Sequence, residues 1–279
     1  MLFRPWSAGR ISPLSPGFAT ALTLAFVAGC SHRPGTPARP ESPPPASPAA
    51  RPPRPVFECH FTEKPIVIDG KIDDEAWQQA PVIDSFAMPW VKDAPRPRKG
   101  TRARVLWDRE NLYVAADMDD TDLYADIEEH DGNTWENDVF EVFLKPSADK
   151  PAYYEFHVTA ANTIFDIFLP RRGHVDRFKR DGEFDIESAV SLRGTLDTWN
   201  DKDQGWSAEM RIPWTSLMRT GGRPEPDAEW RFALCRYDFD VEHEQPELST
   251  IAPLSRLSFH LHEDYATLRF VPPPQPIRP

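Results

Sequence analysis

Glu141 is a carboxylate in a run that otherwise reads as packed β-structure. In TWENDVFEVFL, Thr134 to Leu144, side-chain alternation puts Val139, Glu141 and Phe143 on one face and Phe140, Val142 and Leu144 on the other. Charged groups enter an interior only when paired or hydrogen-bonded, so Glu141 either lies at an accessible concave surface or meets a buried cation. The run Tyr153 to Thr159 carries a second polar row, with Tyr153, Glu155, His157 and Thr159 on one face. Two polar rows side by side, with Trp135 at the rim, make a hydrogen-bonding surface beside an aromatic plate. That combination suits a sugar: the apolar C–H face of a pyranose packs on an aromatic ring, and its hydroxyls need fixed donors and acceptors. The competing reading makes Trp135 a core tryptophan and Glu141 a paired structural charge.

Other chemistries have weaker support. A glycoside hydrolase needs two carboxylates flanking a bond, about 5 Å apart or somewhat wider. Glu136, Asp138 and Glu141 are the candidates, but Glu136 and Asp138 crowd one strand start and no separate acid stands out. Electron transfer through haem b needs an axial pair such as Met118 or Met210 with His157 or His174, and the sequence has no CxxCH for covalent attachment. The loop AADMDDTDLYADIEEHD, Ala115 to Asp131, offers hard oxygen ligands of the kind calcium takes, with Asp120 and Asp122 as the candidates, although its spacing is not that of an EF-hand. A solvated acidic loop is the plainer alternative. His243, His260 and His262 read as loop residues without zinc spacing.

The elements that would position these groups are mostly strands. β runs are expected at PIVIDG (Pro65 to Gly70), TRARVLWD and NLYVAADMDD (a hairpin about Arg109 and Glu110), and Val139 to Leu144. Others are expected at Tyr153 to Thr159, Thr163 to Phe168, Ile186 to Leu192, Trp206 to Ile212, Trp230 to Asp238 and Ala266 to Val271. KIDDEAWQQA and IPWTSLM suit short helical turns. Many short strands without a βαβ rhythm predict an all-β domain, a two-sheet antiparallel sandwich of jelly-roll type. Trp77, Trp107, Trp206, Trp214 and Trp230 fall at regular positions and are expected in the core.

The first 29 residues have the layout of a secretory signal, with Arg4 and Arg10 before an apolar run. Val27-Ala28-Gly29-Cys30 looks like a lipobox, which predicts a lipid on Cys30. The anchor would be in a bacterial cell envelope, and Ser31 after the cysteine suits an outer-membrane destination. Residues 30–55 form a proline-rich tether, residues 56–272 the folded domain, and residues 273–279 a proline-rich tail. The chain carries a formal net charge of −12, which argues against nucleic acid as a partner. With Cys30 set aside for lipid, Cys59 and Cys235 remain of three cysteines. In an oxidising compartment they are expected to pair, two buried thiols being the alternative.

Six stretches in order resemble family 9 carbohydrate-binding modules, a β-sandwich family related to DOMON-type domains: PIVIDGKIDDEAW, RVLWDRENLYVAADMDD, WENDVFEVFL, YYEFHVTAANTIFD, GWSAEMRIPWTSL and SRLSFHLHEDYATLRF. The resemblance covers nearly the whole domain. It implies a non-catalytic module, often attached to xylanases, that grips the end of a xylan- or cellulose-type chain between two aromatic rings and binds calcium. Carried over position by position, Trp135 matches the first stacking tryptophan and Glu141 a carboxylate that hydrogen-bonds sugar hydroxyls. His157 stands where the pattern has arginine, Phe259 where it has the second tryptophan, and Arg256 where it has asparagine. Asp120 lies near a calcium-associated aspartate. Phenylalanine offers less stacking area and no N–H, and histidine replaces a permanent bidentate fork with a titrating group.

Overall fold

The structure is a computed structural model that describes residues 53–173 and 184–273. Cys30 with its expected lipid, the expected signal segment, His174 and most of the terminal tail lie outside the described residues. Among those described, eleven strands form one hydrogen-bonded ladder: β1 (Val56–Phe61), β2 (Thr101–Trp107), β3 (Asn111–Asp119), β4 (Val139–Lys145), β5 (Tyr153–Thr159), β6 (Ile164–Leu169), β7 (Glu187–Arg193), β8 (Gly205–Pro213), β9 (Glu229–Asp238), β10 (Glu247–Thr250) and β11 (Ala266–Val271). The spatial order is β6-β5-β4-β9-β11-β1-β2-β3-β8-β7, with β10 paired to β9. Single 3₁₀ turns lie at Trp77–Gln79, Thr134–Glu136 and His262–Asp264, and a longer one at Trp214–Thr220. No helix among the described residues is long and apolar enough to cross a membrane.

The expectation of β-structure holds, but not as two separate sheets. β1 pairs in parallel with both β11 and β2, and this joins the two halves into one ladder that folds back on itself. Phe140, Val142 and Leu144 of β4 and Tyr154, Phe156 and Val158 of β5 share one core with Val114, Ala116 and Met118 of β3 and Ala208 and Met210 of β8. Those residues come from opposite ends of the ladder, so the barrel is nearly closed. At the open seam, Asn162 beyond β5 donates to the Ser188 carbonyl of β7 and accepts from its hydroxyl. Trp77, Trp107, Trp206, Trp214 and Trp230 are all buried, as expected.

PIVIDG is not a strand. Its backbone donors leave the ladder: Asp69 N and Gly70 N donate to Glu209 Oε2 at 3.1 and 2.9 Å, while Trp77 Nε1 donates to Glu209 Oε1 at 2.7 Å. The segment is thereby clamped over the outer face of β8, with Ile66 and Ile68 packed near Trp77 and Tyr113. Gly70 has φ +82°, and a Cβ there would meet the Val190 backbone at 2.5 Å, so this turn requires glycine. The β2–β3 hairpin forms where expected, because Asp108 Oδ1 accepts from Glu110 N and Asn111 N at 2.7 and 2.6 Å. β1 and β10 were not expected.

Cys59 and Cys235 are free thiols rather than a disulfide. Cys59 points into the central core, whereas Cys235 points to the outer face of β9 among Phe143, Ala252 and Tyr265. β11 lies between their strands. Side chains on opposite faces of one ladder cannot meet, whatever the redox state.

Candidate functional site

The outer face of β5-β4-β9 carries the site. Register places Glu141 between His157 of β5 and Cys235 of β9, and sets Phe143 opposite Glu155. The two polar rows read from the sequence therefore do lie side by side. Above them is an open cleft of about 510 Å³ lined by Trp135, by Tyr237 and Leu248, and by the loop from Leu257 to His260, with Glu141, Phe143 and Glu155 at its base.

Each wall is held locally. The 3₁₀ turn carrying Trp135 is tied to the floor because Thr134 Oγ1 bonds His157 Nδ1 at 2.7 Å. The Trp135 ring stands edge-on to Phe165, 5.8 Å between centroids. The opposite loop is pinned where Tyr265 OH donates to the Phe259 carbonyl at 2.6 Å. Phe259 is only 5 % exposed, wedged against Tyr237 at 5.5 Å and Trp90 at 6.0 Å. Leu257, by contrast, is 55 % exposed at the lip.

Both carboxylates lean on one imidazole edge: His157 Nε2 lies 2.9 Å from Glu155 Oε1 and 3.4 Å from Glu141 Oε1. Glu141 Oε2 and Glu155 Oε2 are buried without a hydrogen-bond partner. Burial, with Glu155 adding to it and His157 opposing, pushes the Glu141 carboxyl up to about 7. Burial alone would lower His157, but the Glu141 charge and the Glu155 hydrogen bond outweigh it and raise the imidazole. Burial also raises Tyr237. At the far side Tyr153 OH bonds His260 Nδ1 at 3.0 Å, and that ring nitrogen lies 3.7 Å from Glu155 Oε2.

Trp135, Glu141 and Phe259 line the cleft, and His157 supports its floor. Arg256 is exposed on the loop and does not line the cleft. Tyr237, Glu155, Leu248, Leu257 and His260 do line it. Glu155 was visible as part of a polar row, whereas His260 read as a loop residue. Tyr237 had a usable signal, because it alternates with Cys235 on the strand beside Glu141.

Asp120 sits in a buried group with Asp138 and Asp238, and Asp122 does not belong to it. Their three carboxylates are close enough to share an ion, and calcium takes six to eight oxygens. Arg236 Nη2 already bonds Asp120 Oδ2 at 3.0 Å and Asp238 Oδ1 at 2.6 Å. Asp120 Oδ1 accepts from Asp122 N, and Asp138 accepts from Tyr124 N and Phe239 N. The guanidinium brings one positive charge to Asp120 and Asp238, and burial lifts Asp238 to about 7 despite it.

The family described as carbohydrate family 9 binding domain-like matches residues 68–251, a span that contains most of the cleft. The chain belongs to that family. Exoglucanase XynX of Acetivibrio thermocellus is 30 % identical over 156 residues, 56 % of this chain and 12 % of that protein. Endo-1,4-beta-xylanase A of Thermotoga neapolitana is 37 % identical over 89 residues, 32 % of this chain and 8 % of that protein. The chain thus spans a small fraction of these relatives. Among solved structures, a family 9 carbohydrate-binding module from Caldicellulosiruptor kristjanssonii in complex with cellotriose shares the fold, with TM-score 0.54 and 15 % identity over 80 % of this chain and 100 % of that one. The glucose complex of a family 9 module from that organism gives TM-score 0.56 at 14 % identity, with the same coverage.

Proposed function

We propose that the domain is a non-catalytic carbohydrate-binding module that holds the end of a xylan- or cellulose-type chain in this cleft. The observation that carries the reading is an aromatic-rimmed cleft with Glu141 at its base. A sugar ring would rest against Trp135 with Phe259 and Tyr237 opposite, and its hydroxyls would donate to Glu141 and Glu155. In this reading the lipid on Cys30 and the proline-rich tether hold the module at the cell envelope, and a separate glycoside hydrolase cleaves the polymer. The exoglucanase and xylanase relatives, matched over only a small part of their length, support that division of labour.

The hydrolase alternative has little to draw on. Both oxygens of Asp138 accept backbone N–H groups, Glu136 is exposed, and Glu141 and Glu155 stand beside one imidazole rather than across a gap. Haem is disfavoured because Met118 and Met210 are packed in the central core and both ring nitrogens of His157 are engaged. Calorimetric titration with cello- and xylo-oligosaccharides tests the proposal: heat of binding supports it, and no heat with any oligosaccharide in a folded protein overturns it.

A further inference from the structure

When both of its carboxylates are ionised, the base of the cleft carries more negative charge than its imidazole balances, and a neutral sugar leaves that charge in place. Two carboxylates, Glu141 and Glu155, share one imidazole as their counter-ion, His157. No lysine or arginine lines the cleft among the described residues. The remaining groups near Glu141 add no fixed positive charge: Cys235 and Tyr237 on β9, and Tyr153 and His260 beside Glu155. One oxygen of each carboxylate has no hydrogen-bond donor. A buried acceptor without a donor is costly, and more so when charged. Four aromatic rings, Trp135, Phe143, Tyr237 and Phe259, line the same space, and their faces attract a cation.

We propose that the cleft prefers a sugar bearing a protonated amino group, with the ammonium set against the Glu141 and Glu155 carboxylates at the base and the ring lying against Trp135. This rests on the carbohydrate-binding reading above and narrows its ligand to amine-bearing saccharides such as β-1,4-linked glucosamine oligomers. The raised carboxyl of Glu141 adds a signature. Near neutral pH part of the protein carries a proton there, and an arriving ammonium favours the ionised form. Binding therefore releases the Glu141 proton to the buffer, whereas an amine that arrives neutral takes a proton up to bind as the ammonium. The acidic chain, with net charge −12, also draws cationic ligands toward it.

The test is calorimetric titration of the full chain at pH 6.5 with glucosamine, N-acetylglucosamine and cello-oligosaccharides of equal length, in two buffers of different ionisation enthalpy. The expected result is affinity for the glucosamine oligomer about tenfold or more above the cello-oligosaccharide, as charge-assisted bonds supply. An exchange of protons with the buffer that the amine-free ligands lack should accompany it, and acetylation of the amine should abolish the preference. Added salt should weaken the glucosamine complex and spare the cello complex, which tests the charge without any variant. Glu155→Gln should narrow the preference. A cello-oligosaccharide bound as tightly as the glucosamine oligomer overturns this inference and leaves the carbohydrate-binding reading standing. No binding of any oligosaccharide to folded protein overturns both.

Discussion

Glu141→Gln removes the ionisation of the central carboxylate while keeping its shape, and its effect on stability follows from the geometry. The folded carboxyl holds its proton up to about pH 7 instead of its ordinary 4.5, chiefly because it is buried. The folded state therefore binds more protons than the unfolded chain between those values, so stability falls as pH rises through that window. Holding the ionised form costs about 3 kcal/mol at pH 8, from 1.36 kcal/mol per pKa unit. His157 acts in the same direction. Its raised pKa contributes stability below its ordinary 6.5, and that contribution is lost as pH rises through the folded value. Glutamine does not ionise, so Glu141→Gln should match the parent near pH 4.5 and exceed it by about 2–3 kcal/mol at pH 8, or very roughly 5–10 °C in Tm. Loss of the Glu141 charge also lowers His157, which trims the gain between pH 6 and 7. Urea denaturation of both proteins at pH 4.5, 6 and 8 measures this, and the variant should lose oligosaccharide affinity while gaining stability. Parallel stability curves, or a variant weaker at pH 8, would refute the claim that the charge is held at the protein's expense.

Two further outcomes concern the rest of the fold. Thiol titration of the denatured protein, without reductant, should find Cys59 and Cys235 both reactive, and reductant should leave the Tm unchanged. A shift on reduction would place the two cysteines on one face after all. Arg236→Met leaves Asp120 and Asp238 without their cation and should cost about 3–5 kcal/mol in urea unfolding. A chelator should leave the parent's Tm where it is. A variant of unchanged stability, or a large drop with chelator, would mean that an ion rather than the guanidinium holds the cluster.

Much of the site was legible because strand alternation is local. Period two alone put Glu141, Glu155 and His157 on shared faces, and the register then brought them together. What the sequence hid depends on long-range pairing. The sides taken by Cys59 and Cys235 follow from β1 joining β11 and β2 in parallel, which no local pattern records, and the same pairing merges the expected two sheets into one ladder. PIVIDG carries a strand's composition, but Glu209, some 140 positions later in the chain, takes its backbone donors. Phe259, singled out by resemblance, lines the cleft. Its burial behind Trp90 and Tyr237 comes from a loop that Tyr265 pins.

The most direct test of the central claim compares the parent with Trp135→Ala by titration against cello- and xylo-oligosaccharides. Trp135 is partly exposed at the rim, so its removal should spare the fold, with urea midpoints close to the parent's. Aromatic contact area should carry much of the affinity, so the account predicts binding by the parent and at least a tenfold loss in the variant. Equal affinity in the two proteins would contradict the placement of the sugar at Trp135.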